Sequence, residues 1–197
     1  MKNQLAPIRL DGKNVSLVPL EHEYDNELSA AISDGNLHRL WYTSIPAPEH
    51  VDAETTRRLE LRDAGSMLPF VVLNATGRAV GMTTYMNIDV ASPRVEIGST
   101  WYARSVQRGP VNTEAKLLLL THAFEKLGCI AVEFRTHTMN FQSRKAIERL
   151  GAKLDGVLRA HMVMSNGTLR DTACYSVTAP EWPAVKANLE WQLEKPR

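Results

Sequence analysis

The stretch VQRGPVNTEAKLLLL, Val106 to Leu120, decides how this sequence is read. A polar, basic run meets a Gly-Pro pair and passes at once into strong helix formers, so a helix is expected from roughly Asn112 to Leu127. A helix N-terminus leaves about four backbone N–H groups unpaired and carries roughly half a positive charge. The turn is therefore either an ordinary strand-to-helix connection or a cradle for an anion such as a pyrophosphate. Arg104 and Arg108 flank it, Gln107 adds a neutral donor, and Gly109 removes a side chain where an anion would approach. It matches neither the phosphate loop G-x-x-x-x-G-K-S/T nor the dinucleotide fingerprint G-x-G-x-x-G.

Outward from this stretch the periodicity changes repeatedly. RVEIGSTWYA before it reads as a strand over Val95 to Tyr102, Ile130 to Thr138 as another, and Phe141 to Leu150 as a helix. Both helices end alike, EKLG and ERLG, with Gly128 and Gly151 where left-handed backbone is favoured. If the two strands lie side by side, both helix N-termini fall on one end of the sheet, and two anion-friendly termini together suit one extended ligand.

Upstream, Asn14 to Leu20 reads as a first strand, Glu21 to Asp34 and Glu49 to Asp63 as helices, and LPFVVLNA with AVGMTTYMNID as a hairpin. Downstream, GVLRAHMVMSNG and TLRDTACYSVT make a closing hairpin around Asn166-Gly167, and a last helix runs from about Pro180 to Glu194. No linker, low-complexity tract or internal repeat divides the chain. Residues 1–197 read as one α/β (α+β) domain with a mixed, mostly antiparallel central sheet around a β-α-β unit.

Composition narrows the classes of function. With 197 residues, 44% hydrophobic and 23% charged, the chain can bury one core without metal or disulfide staples. A formal charge of +1 supplies no electrostatic footprint for nucleic acid or a membrane surface, so neither partner is expected. No apolar run approaches the ~20 residues of a membrane span, and the first twenty residues lack an apolar leader core, so a cytoplasmic location is expected. Cys129 and Cys174 form no C-x-x-C pair and lie in apolar surroundings, which suits buried thiols in a reducing compartment. The six histidines are scattered, so no metal is expected.

Three features bear on chemistry. Glu96 stands in an extended run beside Val95 and Ile97: it is either a solvent-facing residue of a half-exposed strand or a general base tuned by partial burial. Strict alternation puts Glu96, Gly98 and Thr100 on one face and Ile97, Ser99 and Trp101 on the other. Gly98, with nothing to pack in mid-strand, marks a bulge or a close ligand approach. The helix start NFQSR either caps itself with Asn140 and leaves Arg144 in solvent, or adds Asn140, Ser143 and Arg144 to a ligand site.

In order and spacing, EIGSTWY, QRGPVNTEAKLLLLTHAFEKLGC, VEFRT and N-x-x-S-R-x-A-I-x-R-L-G resemble the GCN5-related N-acetyltransferases (GNAT) over nearly the whole chain. More narrowly they resemble the branch containing the ribosomal-protein N-terminal acetyltransferases. The resemblance implies acetyl-CoA or coenzyme A as co-substrate, its pantetheine between two splayed parallel strands and its pyrophosphate on the opening loop. Carried over, the cofactor-binding residues are Trp101, Tyr102, Gln107, Arg108, Gly109, Pro110, Val111, Asn112, Asn140, Ser143 and Arg144. Two positions depart from the family pattern Q/R-x-x-G-x-G/A: Pro110, which has no N–H, and Asn112. A third departure is Ile147, where many relatives carry an acidic tyrosine; Ser143 fits the spacing of the serine thought to replace it in the ribosomal-protein branch.

The activity implied is direct acetyl transfer to a primary amine, with Glu96 as base, a backbone N–H near Gly98 or Ser99 for the oxyanion, and Ser143 as acid. The alternative is a non-catalytic acyl-CoA sensor or interaction module. The loop Trp41 to Asp52 and the hairpin Val157 to Leu169 are expected to border the acceptor, with Trp41, Tyr42 and His161 either lining a pocket or serving as core and surface. The acceptor is an amine-bearing small molecule or a protein N-terminus. Trp182, Leu189, Trp191 and Leu193 on the last helix either pack internally or form a homodimer face.

Overall fold

Strand β3 (Met67–Asn74) is an unbroken apolar run because it is buried on both faces. Phe70 and Val72 point into one apolar cluster, Val71 and Leu73 into another. The computed structural model, which describes residues 6–195, places this strand inside an eight-stranded sheet. The other strands are β1 (Leu10–Asp11), β2 (Val15–Pro19), β4 (Ala79–Asp89), β5 (Arg94–Tyr102), β6 (Ala131–His137), β7 (Lys153–Val163) and β8 (Leu169–Thr178), in the order β1-β2-β3-β4-β5-β6-β8-β7. All pairings are antiparallel except β5 with β6. This is the single α/β fold with a mixed, mostly antiparallel sheet around a β-α-β unit that the resemblance to the GNAT family implies.

Among the described residues five α-helices cover the sheet: α1 (Asp25–Ser33), α2 (Val51–Asp63), α3 (Val111–Thr121), α4 (Phe141–Arg149) and α5 (Trp182–Glu194). Leu119 and Leu120 of α3, Ile147 of α4 and Trp182, Val185 and Leu189 of α5 share the larger cluster with Val95, Ile97, Val132 and Phe134. Leu28 and Ile32 of α1 and Val51 of α2 pack on the opposite face with Met82 and Trp101. This second cluster draws no residue from β6, β7 or β8. That half of the sheet face, next to β5, is left uncovered by α1 and α2.

The structure corrects the expected elements at their ends and adds the strand order. Residues 22–24 and 48–50 are 3₁₀ turns leading into α1 and α2, and the last helix begins at Trp182, with Pro183 in its first turn. Helix α3 starts at Val111 and passes at His122–Lys126 into a wider turn, the Leu127 N–H reaching His122 O at 3.0 Å. The two-residue β1 is too short to carry any periodicity, and β8 inserts between β6 and β7, so β7 is the edge strand. Trp182 and Leu189 pack inside, whereas Trp191 is exposed under the Lys195 ammonium, 4.5 Å from its ring centre. Cys129 is buried but Cys174 only half-buried. Among the described residues no helix is long and apolar enough to cross a membrane.

Candidate active site

Strands β5 and β6 pair at only three positions, Arg94 with Ala131, Val95 with Val132 and Glu96 with Glu133. Beyond Glu96 they part while both continue, so a gap opens from that residue onward. On its other side β5 is bulged: Met82 pairs with Trp101 and Thr84 with Gly98, leaving Thr83 opposite both Ser99 and Thr100. Ser99 takes left-handed backbone, φ 46°, and is exposed. A bulge frees its extra residue from the ladder.

The bulge also overturns strict alternation. Thr100 turns to the α3 side, where its hydroxyl meets Lys116, and Trp101 turns into the α1/α2 cluster. Glu96 and Gly98 therefore share a face with Trp101, not with Thr100. The bulge that Gly98 foreshadows lies one residue later.

Glu96 is 5% exposed. A second irregularity, at Asn87 (φ 48°), aims the Asn87 amide at it: Nδ2 donates to Glu96 Oε2 at 2.7 Å. Arg135 Nε lies 3.5 Å from the same oxygen and its Nη2 donates to Glu133 Oε2 at 2.9 Å. Oε1 is left over Gly98, where an added Cβ would come within 2.8 Å of it. Burial pushes the Glu96 pKa up, against the pull of the Asn87 hydrogen bond and the Arg135 charge. A base must be ionised to act, so the acid limb of a kcat/KM profile should lie above the ordinary glutamate range and vanish in Glu96→Gln. A limb at the usual carboxylate position, or one unchanged in the variant, assigns the base elsewhere.

At the open end of the gap two helix N-termini meet. Among the described residues helix α3 has no side-chain cap: Pro110 occupies the capping position and Arg108 before it adopts φ 61°. The left-handed residue of this loop is thus Arg108 rather than Gly109, and the Arg108 side chain is exposed. Gln107 links the strands and helices, donating from Nε2 to Tyr102 O at 2.9 Å and accepting from Gln142 Nε2 of α4 at 3.4 Å. The loop is anchored from behind, where Ser105 N donates to Asp34 Oδ2 at 3.0 Å. Gly35 is required there, since a Cβ would come within 2.7 Å of Arg104 Cβ.

A family model described as an acetyltransferase (GNAT) domain matches residues 14–153, most of the chain and the whole of this site. The chain belongs to the GNAT acetyltransferase family. Among solved structures, a GCN5-related N-acetyltransferase from Brucella melitensis is 33% identical, with a TM-score of 0.83 over 95% of this chain and 86% of that one. RimJ of Mycobacterium smegmatis, solved in complex with CoA-disulfide, is 24% identical, with a TM-score of 0.77 over 95% and 93% of the two chains. The ribosomal-protein-S5-alanine acetyltransferase of Vibrio fischeri is 15% identical at a TM-score of 0.71, over 89% and 98%. The last two show likeness of fold. No curated protein matches the sequence significantly.

For a GNAT protein the co-substrate is coenzyme A in its acylated form, and the residues present fit it. The uncapped N-terminus of α3 offers first-turn amides to phosphates. Val111 is buried and can contribute only its backbone, whereas Gly109, Pro110 and Asn112 are half-buried at the mouth. Tyr102 OH, Trp101 Nε1 and His137 Nε2 are buried with no partner among the described residues, and the Trp101 ring belongs to the α1/α2 core.

At α4 the structure brings Asn140 and Ser143 together, Ser143 N donating to Asn140 Oδ1 at 3.0 Å as in a helix cap. Arg144 is not left in solvent: its Nε donates to Tyr175 OH at 2.9 Å and its Nη1 lies 3.4 Å from Thr138 O. Ile147 is core. The Trp41 ring stands edge-on to His137 at 5.2 Å and to Tyr42 at 5.6 Å, so this loop meets the end of β6, while His161 Nδ1 lies 3.1 Å from Thr172 Oγ1.

Sequence reasoning missed Asn87, Arg135 and Lys116. Asn87 had a signal, an asparagine inside a strand pattern, where that residue tolerates positive φ. Arg135 had one as well, lying two residues beyond Glu133 on the same strand face.

Proposed function

We propose that this GNAT protein transfers an acetyl group from acetyl-CoA directly to a primary amine, either a protein N-terminus or a small amine. The observation that carries this reading is Glu96: a buried carboxylate with one oxygen held by Asn87 and Arg135 and the other facing the bulge where β5 leaves β6. Acetyl-CoA supplies the acyl group activated as a thioester. Glu96, directly or through a water, takes the proton of the attacking amine. The bulge N–H groups at Ser99 and Thr100 donate to the carbonyl oxygen as negative charge grows there, a contact worth roughly 3–4 kcal/mol in acyl transfer. Ser143, on the first turn of α4, returns a proton to the departing sulfur.

Arg108, exposed beside the uncapped terminus, contributes charge to the phosphates. The acceptor enters over the half of the sheet left open beside β6, bordered by Trp41 and the β7–β8 hairpin. One fold neighbour is, by its name, an acetyltransferase of the alanine of ribosomal protein S5, which puts protein N-termini in the substrate panel.

Calorimetric titration with CoA, acetyl-CoA, ATP and NAD tests the cradle first. CoA and acetyl-CoA should bind and the others not. Arg108→Ala should weaken CoA about fivefold, near the 1 kcal/mol upper end for an exposed charge pair. Asn140→Ala reads both roles at once, because losing the cap alone destabilises by about 1 kcal/mol. Acetyl transfer is then followed across amino acids, polyamines and N-terminal peptides. CoA binding without turnover on any amine would favour the sensor, and no CoA binding would remove both readings.

A further inference from the structure

The bulge at Ser99 and Thr100 is disfavoured backbone for a serine, and such a conformation persists only where its surroundings hold it. What holds it is a triangle of side chains. Thr83 Oγ1, on the facing strand β4, lies 2.8 Å from Thr100 Oγ1. Lys116 Nζ, reaching from α3, donates to Thr100 Oγ1 at 2.7 Å and to Thr83 Oγ1 at 3.0 Å. Thr100 Oγ1 also lies 3.3 Å from Gly98 O, so the residues on either side of Ser99 are tied to one point.

Lys116 is an expensive way to make those contacts. It is 4% exposed, and among the described residues no carboxylate lies within ion-pair distance of it. Its neighbour Glu114 is occupied elsewhere, accepting from Lys13 N at 2.6 Å and Asn14 N at 2.7 Å. Burial draws the ammonium's pKa down to about 7. A leucine or methionine would fill the place beside Ala115, Leu119 and Leu120 without taking a charge out of water. The lysine does something an apolar residue cannot: it anchors a backbone irregularity in β5 to the helix whose N-terminus forms the phosphate cradle.

We propose that Lys116 is a positioning residue for acyl transfer, clamping the Ser99–Thr100 bulge through Thr83 and Thr100 so that its backbone keeps a fixed place beside the gap between β5 and β6. The inference rests on the function proposed above. Lys116 touches no reacting atom; it acts through Thr100. Because α3 carries both the lysine and the cradle, the clamp also sets the spacing between the donor's phosphates and the site where its carbonyl reacts.

The test compares wild type, Lys116→Met, Thr100→Val, Thr100→Ser and the double variant Lys116→Met/Thr100→Val. The readouts are kcat, acceptor KM, CoA affinity, melting temperature and amide hydrogen exchange along the paired stretches of β4 and β5 that flank the bulge. Lys116→Met and Thr100→Val should each lower kcat about 10- to 30-fold, as a loosened oxyanion donor does, with acceptor KM and CoA affinity within about twofold. The double variant should be no worse than the worse single one, Thr100→Ser should stay near wild type, and exchange should quicken about tenfold where the clamp is cut. Lys116→Met should melt no lower than wild type at neutral pH, since it removes a buried charge.

Unchanged kcat in Lys116→Met, or losses that multiply in the double variant, would overturn the clamp. Should Lys116→Met not fold, the contrast between Thr100→Val and Thr100→Ser decides. A wild type that turns over no amine removes the acyl-transfer reading instead. Hydrogen exchange, which needs no turnover, then still decides whether the lysine holds the bulge.

Discussion

Glu96→Gln should lower kcat by about 10²- to 10⁴-fold, the range for a lost general base. It should leave CoA affinity within about twofold, because the proposed phosphate cradle lies at the other end of the gap. The change is close to isosteric, and the surroundings of the carboxylate indicate what survives it. A glutamine oxygen can still accept from Asn87 Nδ2, and Arg135 keeps its hydrogen bond to Glu133.

Stability carries an independent sign. Glu96 has a raised pKa in the folded state, so between the unfolded value and that raised value the native protein binds more protons than the unfolded chain. The group's stabilising contribution is therefore present at low pH and lost as pH rises through the folded pKa. Above the folded pKa the ionised, buried carboxylate is a burden, so there Glu96→Gln should melt no lower than wild type. A rate loss below tenfold with normal CoA binding would remove Glu96 from the role of base. A large loss accompanied by a collapsed melting temperature would mean that the residue matters for folding.

Much of this fold can be read from periodicity because its elements are long and regular. The apolar run of β3, the β-α-β order around VQRGPVNTEAKLLLL and the glycines closing both helices each follow from a local rule. The site is less legible because it is built from departures from those rules. Nothing in the composition of EIGSTWY says that Ser99 turns left-handed. Alternation carried past that point assigns Thr100 and Trp101 to the wrong faces.

The partners of Glu96 come from β4 and β6, far apart in sequence, and only the pairing register brings them together. The order β6-β8-β7 is hidden for the same reason, since consecutive strands need not be neighbours. Lys116 is an intermediate case. Its spacing from Leu119 and Leu120, three and four residues on, places it on the buried face of α3. A lone lysine in a helix is ordinarily taken for its solvent face, which is why that spacing goes unnoticed.

Gly98→Ala should cost about 10² in kcat with little change in stability. The glycine's φ lies outside the left-handed region, so alanine meets no backbone penalty there. Its Cβ would come within 2.6 Å of Met86 Sδ and 2.8 Å of Glu96 Oε1, both side-chain atoms rather than backbone. The strand can therefore accept the methyl group, and the residues that must move are Met86 and Glu96. Overpacking of this kind costs about 1 kcal/mol, partly offset by the stiffer unfolded chain that alanine gives. A displacement of Oε1 by a fraction of an ångström is, in contrast, enough to spoil proton transfer from a nitrogen that must also meet the acyl carbonyl. If the methyl group acts through Glu96, adding Gly98→Ala to Glu96→Gln should lose almost nothing further. Wild-type turnover in Gly98→Ala would show that Oε1 can give way without cost and is not the working oxygen. A loss that multiplies with that of Glu96→Gln would move the importance of this glycine from the carboxylate to the path of the donor itself.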